Sequence, residues 1–287
     1  MVLLELHLTL HMNQSESAVS TSRFLGGVIH GTFERLVLTH APVIGHDLGI
    51  ASESLPKRYA ILPPPFDWKM PETQLPVKMK CGIVLYGHAK KYIEVIVALL
   101  KQWHEIRYER HTNTVQCDQV FFHIPGNKSV VYDYLEQKPV DTQFYLNQMR
   151  PASSGITLNF NTPLKRKNLQ PPQLLRIVRS VADRIRELEP ALADLLGLKS
   201  LAWIESEEQI RRLSIAYHHL KQVDWKYWST SHENFIPCTG LLGQIHYEGN
   251  IPSAITTLLH WGQWFGAGQS TALGQGMYYI DEPLIRF

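Results

Sequence analysis

The chain is short of cysteine, of long apolar runs and of net charge, and each shortage excludes something. Its three cysteines, Cys81, Cys117 and Cys238, stand 36 and 121 positions apart in 287 residues. That spacing makes neither a disulfide framework nor a C-x-x-C metal site, so reduced thiols are expected. No apolar run approaches the ~20 residues that cross a bilayer. The opening MVLLELHLTLH lacks a basic stretch and carries Glu5 and His7 where a secretion signal is unbroken apolar, which predicts a cytoplasmic protein with no membrane partner. With 28 Lys and Arg against 26 Asp and Glu, the net charge is only +2. The 44% of hydrophobic and 19% of charged residues exclude a disordered, collagen-like or membrane-spanning chain, and at roughly 150 residues per domain the length predicts two domains.

The small total charge hides an uneven distribution. Between Lys165 and Arg186 lie seven basic residues (Lys165, Arg166, Lys167, Arg176, Arg179, Arg184 and Arg186) and one acid, Asp183, a local charge of +6. Between Lys57 and Lys91, seven basic residues stand against Asp67 and Glu72, an excess of +5. Glu205, Glu207 and Glu208 are among the acids that cancel them. A basic window of this kind is either a solvated helix face or a polyanion contact.

Hydrophobic spacing predicts the elements. Residues 2–11 alternate as a half-buried strand, with Leu4, Leu6, Leu8 and Leu10 on one face and Leu3, Glu5, His7, Thr9 and His11 on the other. Leu25, Val28, Ile29, Phe33, Leu36 and Val37 then recur at helical intervals. Residues 78–86 alternate again, a second helix runs through Ile93, Ile96, Val97, Leu100 and Trp103, and 107–124 carries further strand-like runs. Low periodicity over 138–155, with Pro, Ser, Asp and Asn, suggests a connection. Beyond it the pattern repeats: a strand at 155–161, a helix introduced by Pro171-Pro172 that buries Leu175, Val178, Val181, Ile185 and Leu188, a strand at 242–247, a helix at 252–265 and a strand at 277–280. The expectation is an α+β fold of two tandem ferredoxin-like, RRM-like β-α-β-β-α-β domains, 1–150 and 151–287.

The densest glycine cluster is WGQWFGAGQSTALGQGMYYI, with Gly262, Gly266, Gly268, Gly274 and Gly276. It is not a dinucleotide fingerprint: position 271 is Thr, and the order is helix, loop, strand. It is not a Walker A loop, having no Gly-Lys-Ser/Thr. Two readings stay open, a tight structural turn and a loop whose Gly266, Gly268 and Gln269 amides and Ser270 and Thr271 hydroxyls meet phosphates. Elsewhere His7-Leu8-Thr9 and His30-Gly31-Thr32 spell H-x-T, but a strand carries one and a helix the other, against a two-histidine phosphodiesterase. His104 and His218-His219 lack the spacing of a zinc enzyme, and no metal is expected.

A helix followed by G-x-G, five residues and a second G-x-G before a closing strand resembles the terminal signature of the CRISPR-associated repeat-processing endoribonucleases of the repeat-associated mysterious protein superfamily. GLLGQIHYEGNIP resembles the strand before that helix. GITLNFNTPLKRKNLQPPQLLRIVRSVADRIREL resembles the start of the family's second domain, FLGGVIHGTFERL its first helix, and KMKCGIVLYGHAKKYIEVIVALL its next strand and helix. The resemblance implies two ferredoxin-like domains and a C-terminal glycine-rich loop.

The implied chemistry is metal-independent cleavage of precursor crRNA, in which a ribose 2′-hydroxyl attacks the adjacent phosphate and leaves a 2′,3′-cyclic end. It needs a proton acceptor and charge stabilisation, and no cofactor. Histidine suits the first task. In several branches it sits in or just after the first helix, where this chain has His30, His40 and His46. His30 matches best as general base and His46 follows; Tyr59, Lys57 and Tyr217 are possible helpers. The alternative for His30 is a helix-surface histidine bonded to a backbone carbonyl. RNA binding is assigned to Lys165, Arg166, Lys167, Arg176, Arg179 and Arg186 and to the glycine loop, with Trp225, Tyr227 and Trp228 as base readers. The expected partners are repeat hairpin RNA, mature crRNA and other effector subunits. The competing function is a non-catalytic crRNA-binding subunit.

Overall fold

The computed structural model describes residues 1–11, 25–52, 54–66, 76–108, 111–123, 130–131, 150–165, 169–229 and 234–280. The connection expected at 138–155 lies outside them up to residue 149.

The first half starts with β1 (Val2–His11), α1 (Leu25–His40), α2 (Pro42–Asp47) and β2 (Tyr59–Leu62), followed by β3 (Val77–Leu85) and α3 (Ile93–Lys101). The hairpin strands β4 (Glu105–Tyr108) and β5 (His111–His123) and the short β6 (Val130–Val131) complete it. β1 is central: Leu6 pairs with Cys81 of β3 on one side and Val120 of β5 on the other. The antiparallel order is β2-β3-β1-β5-β4, with β6 added to β5. The alternating leucines of β1 meet Ile29, Phe33 and Val37 of α1 and Ile96, Val97 and Leu100 of α3 in one core. Fully burying an aliphatic side chain of this size contributes about 1.5–3 kcal/mol.

β1 is more buried than its alternation predicts. On the face expected to meet solvent, Leu3 joins a second core with Tyr86 and Phe160. Further along, the buried Glu5 is held 2.6 Å from His123 Nε2 and 2.8 Å from His7 Nε2. Burial opposes ionisation of Glu5, but its bonds to His123 and His7 outweigh that and hold the carboxyl down at about 2.

The second half comprises β7 (Ser153–Lys165), α4 (Leu174–Leu188), α5 (Pro190–Leu195) and α6 (Leu201–Ile210). The long strands β8 (Ser214–Ser229) and β9 (Asn234–Ile251) follow, then α7 (Ser253–Gly262) and β10 (Tyr278–Tyr279). Its order, β10-β7-β9-β8, is the 4-1-3-2 order of a ferredoxin-like sheet, and β2-β3-β1-β5 repeats that order in the first half. The Tyr247 hydroxyl donates to the Pro172 carbonyl at 2.6 Å and anchors the start of α4. β8, α5 and α6 were not legible from hydrophobic spacing. β8 is an edge strand with exposed residues on both faces, so no alternation marks it.

The two sheets share the second core. Tyr86 stacks on Phe265 with ring centroids 4.9 Å apart, and its hydroxyl donates to the Trp264 carbonyl at 2.5 Å. Nearby, the Gly87 amide donates to Glu189 Oε1 at 2.8 Å, and Arg184 Nε to the Phe265 carbonyl at 3.1 Å.

Candidate functional site

Gly27, His30 and Glu34 recur every three or four residues and so share one face of α1. At Gly27 the helix passes β8 so closely that an added Cβ would stand 2.9 Å from Tyr227 Cβ. One turn on, His30 Nε2 lies 2.8 Å from the Tyr59 hydroxyl of β2, which also donates to Glu34 Oε1 at 2.7 Å. Lys57 Nζ donates to the same carboxylate oxygen at 2.8 Å and to the Ile50 carbonyl at 3.4 Å. Lys57 thereby ties α1 to the loop that follows α2.

The charges in this cluster follow from its environment. Burial pushes the His30 imidazole down to about 4, with the Glu34 carboxylate opposing the shift and the Lys57 ammonium adding to it. Burial works against an ionised Glu34, yet His30, Lys57 and Tyr59 outweigh it and hold the carboxyl below its usual value. Burial, reinforced by Glu34, pushes the Tyr59 phenol well up. A neutral phenol has one proton to donate, and it goes to the carboxylate. The Tyr59 oxygen therefore accepts from His30 Nε2–H, which leaves Nδ1 as the ring's lone-pair atom.

His46 sits in a different setting. It occupies the last turn of α2, with a side chain 69% exposed against 12% for His30. Its Nδ1 is 3.9 Å from Oδ1 of Asp47. Asp47 accepts a hydrogen bond from the Tyr92 hydroxyl, which holds its carboxyl below the usual range, and pairs with Lys91 at 3.5 Å. The Lys91 ammonium lies 4.7 Å above the Tyr92 ring. An exposed histidine, a carboxylate and an ammonium thus share one surface.

The glycine-rich loop is drawn tightly into the fold. Gly276, at φ +67, is so close to the chain that a Cβ would stand 1.8 Å from the Ala267 carbonyl oxygen. At Gly274, φ +80, a Cβ would meet the Ile61 carbonyl at 2.6 Å and Pro63 at 2.5 Å, which seats the loop on β2. The turn at Thr271–Leu273 also packs against α1, bringing it beside the helix that carries His30. All three amides considered for phosphate have internal acceptors: Gly266 bonds to Gly262, Gly268 to Ser180 Oγ and Gln269 to Lys165. Thr271 is buried, and its hydroxyl has no partner among the described residues. Gln269 is exposed, and Ser270, in the left-handed region at φ +56, is partly so.

Of the predicted cations, Arg166 and Lys167 lie outside the described residues. Lys165 ends β7, with its carbonyl bound to Gln269. Arg179 is clamped by Glu207 of α6 through Nε at 3.0 Å and Nη2 at 2.9 Å. Arg186 bonds to Asp183 Oδ1 and to the Leu198 carbonyl, both at 2.7 Å. Arg176 is exposed, and its guanidinium has no hydrogen-bond or ion-pair partner among the described residues. Trp225 is buried in a small cluster with Cys238, and Tyr227 packs against it; the side chain of Trp228 is outside the described set. Tyr217, a possible helper for His30, stacks on His246 of β9. Sequence reasoning missed Glu34, although His30 and Glu34 stand at the i,i+4 spacing of a helical pair.

The family model for CRISPR-associated endoribonuclease Cas6 matches residues 158–278, from β7 to β10. No curated protein matches the chain. Among solved structures, a Thermus thermophilus Cas6 in a product complex is similar over 97% of this chain and 99% of its own, at 14% identity and a TM-score of 0.59. A second Cas6 product complex is similar over 98% of this chain and 100% of its own, at 19% identity and a TM-score of 0.58. A chain of a partial Cas6-RT-Cas1–Cas2 complex covers all of this one with 47% of its own length, at 13% identity and a TM-score of 0.55. At these identities the likeness concerns the fold, two ferredoxin-like halves in tandem. The family model thus matches the second half of the chain, and the likeness to the solved structures extends the fold over the whole of it.

Proposed function

We propose that the protein binds CRISPR repeat RNA and cleaves it as a metal-independent endoribonuclease, leaving a 2′,3′-cyclic phosphate. The base must be neutral before the reaction, reach the ribose 2′-hydroxyl and hold its proton while the 2′-oxygen attacks phosphorus and the 5′-oxygen departs, taking up a proton from water as it leaves. The observation that carries the assignment is the contrast between the two histidines. His46 is exposed and stands on the surface that carries Lys91, an ammonium suited to the charge that builds on the phosphoryl oxygens. His30 is nearly closed to solvent, its Nε2–H is bound to Tyr59, and its low proton affinity makes it a weak base. His46 is therefore the proposed proton acceptor. His30, Tyr59, Glu34 and Lys57 act as positioning residues, since Lys57 reaches from Glu34 to the loop following His46.

The proposed RNA contacts are the exposed Arg176, the Lys165–Lys167 segment, and Gln269 and Ser270 at the loop tip. Arg179 and Arg186 lie beside them and contribute less, since Glu207 and Asp183 already pair with them. The product complexes of the similar Cas6 structures support retention of cleaved RNA, and the Cas6-RT-Cas1–Cas2 complex supports association with other CRISPR proteins.

Single-turnover cleavage of a repeat hairpin by His46→Ala and His30→Ala tests the assignment. His46→Ala is expected to slow cleavage by about 10²–10⁴-fold, the range of a lost general base, without weakening binding. A folded His30→Ala that abolishes cleavage, beside an unimpaired His46→Ala, would reverse the roles.

A further inference from the structure

The face of the second sheet turned away from α4 and α7 carries a group of rings outside the site above. β7, β9 and β8 bring Thr157, His246 and Tyr217 into one row across three strands. In the next row, His219 stands opposite Gln244. The Tyr217 and His246 rings are stacked, 5.0 Å between centroids and 10° from parallel, and His219 lies 5.8 Å from Tyr217. Thr157 Oγ1 is 2.8 Å from His246 Nδ1 and fixes the orientation of that imidazole. Although stacked on its neighbour, Tyr217 remains 47% exposed. Period-two alternation puts the exposed Lys221 on the same face, one row beyond His219.

A flat aromatic ring backed by an oriented imidazole presents an open π-face at low conformational cost. Nucleobases are the common ligands for such a surface on an RRM-like sheet, because every base has a π-face and the adjoining cations meet its phosphates. The lysine and the two histidines favour a polyanion over an apolar peptide. We infer that the open face of the second sheet is a stacking platform for an unpaired RNA base, with Tyr217 as the stacking ring and Gln244 and Lys221 as polar neighbours. The inference rests on the repeat-RNA reading only for which RNA arrives. It concerns a single-stranded part of that RNA, whereas α4 and the loop tip face its backbone.

The test is fluorescence anisotropy of labelled hexa-adenylate with the full-length protein and its Tyr217→Ala and Tyr217→Phe variants over a range of salt. Tyr217→Ala should weaken binding at least about 5-fold, the low end for loss of one stacked base. Tyr217→Phe should bind within about 2-fold of wild type, since it retains the ring that stacks. The salt slope should be the same for all three because no phosphate contact is lost. Equal affinity of wild type and Tyr217→Ala overturns the platform, as does an equal loss in both variants. A Tyr217-dependent self-association with unchanged RNA affinity also overturns it and makes the face a protein interface. Hairpin cleavage is scored separately: a wild-type protein that binds hexa-adenylate through Tyr217 but cuts no repeat keeps the platform and rejects the nuclease reading.

Discussion

The Tyr59 hydroxyl stands 2.8 Å from His30 Nε2, and because its proton is committed to Glu34, it accepts from the imidazole. The ionised Glu34 accepts a hydrogen bond from the phenol, the phenolic oxygen accepts one from the imidazole Nε2–H, and α1 is bound to β2 through a neutral histidine. Tyr59→Phe removes both bonds and leaves a buried donor and part of a buried carboxylate without partners. A group so stranded costs about 1–3 kcal/mol. The urea-unfolding free energy of Tyr59→Phe should therefore fall by about 2 kcal/mol, and an unchanged value would show that the two bonds contribute nothing net.

Acidification should unfold the protein through His30. In the native state the imidazole takes up a proton only near pH 4, whereas an unfolded chain does so near 6.5. Between these values the unfolded state holds more protons, so stability is complete above the upper value and is lost as pH falls towards the lower one. The loss attributable to His30 reaches about 3 kcal/mol. Urea midpoints for wild type and His30→Gln across this window should converge as pH falls, because the variant lacks the titrating group. Parallel curves for the two would contradict the shifted imidazole.

Gly276→Ala should be among the most damaging single substitutions, since its Cβ would overlap the Ala267 carbonyl and its backbone lies at positive φ. We expect a loss above about 3 kcal/mol, the upper part of the range for single substitutions, read as a fall in thermal midpoint. A near-neutral result would mean that the loop adopts a looser conformation in solution.

Arg176 and Arg179 are one helical turn apart but differently placed. Arg176→Ala should weaken repeat RNA binding and lower the salt slope by about one, as for a lost phosphate contact. Arg179→Ala should do less because Glu207 already neutralises it, and Glu207→Gln should tighten binding by freeing the guanidinium. If Arg179→Ala weakened binding more than Arg176→Ala, RNA would have to displace Glu207 in the bound state.

Both sheets were legible where apolar spacing was regular. α1, α3 and α4 follow their patterns because one face of each packs on a core, whereas β1 and β3 alternate between two cores, with Leu3 and Val84 in one and Leu4 and Ile83 in the other. β8 was illegible for the opposite reason: Tyr217, His218, His219 and Lys221 are all exposed, and an edge strand with solvent on both faces has no alternation to read. In the site, His30, His46, Lys57 and Tyr59 could each be picked out as a residue type, yet no spacing says that β2 crosses α1 at His30. That meeting arises from the register Tyr59↔Leu85 and Leu4↔Ile83, a long-range pairing that local pattern does not encode. The glycines signalled a constrained loop, and only its internal hydrogen bonds to Gly262, Ser180 and Lys165 show how few of its amides are left for a ligand.

We propose that this fold cuts repeat RNA with its own side chains. The most direct measurement is incubation of 5′-labelled repeat hairpin RNA with the purified full-length protein in excess EDTA, with the product end resolved by its sensitivity to phosphatase before and after acid opening. A single cut in EDTA is expected, with a 5′ fragment that resists phosphatase until the cyclic phosphate is opened. RNA that is bound but left intact, with or without divalent metal, would contradict it and leave an RNA-holding subunit in its place.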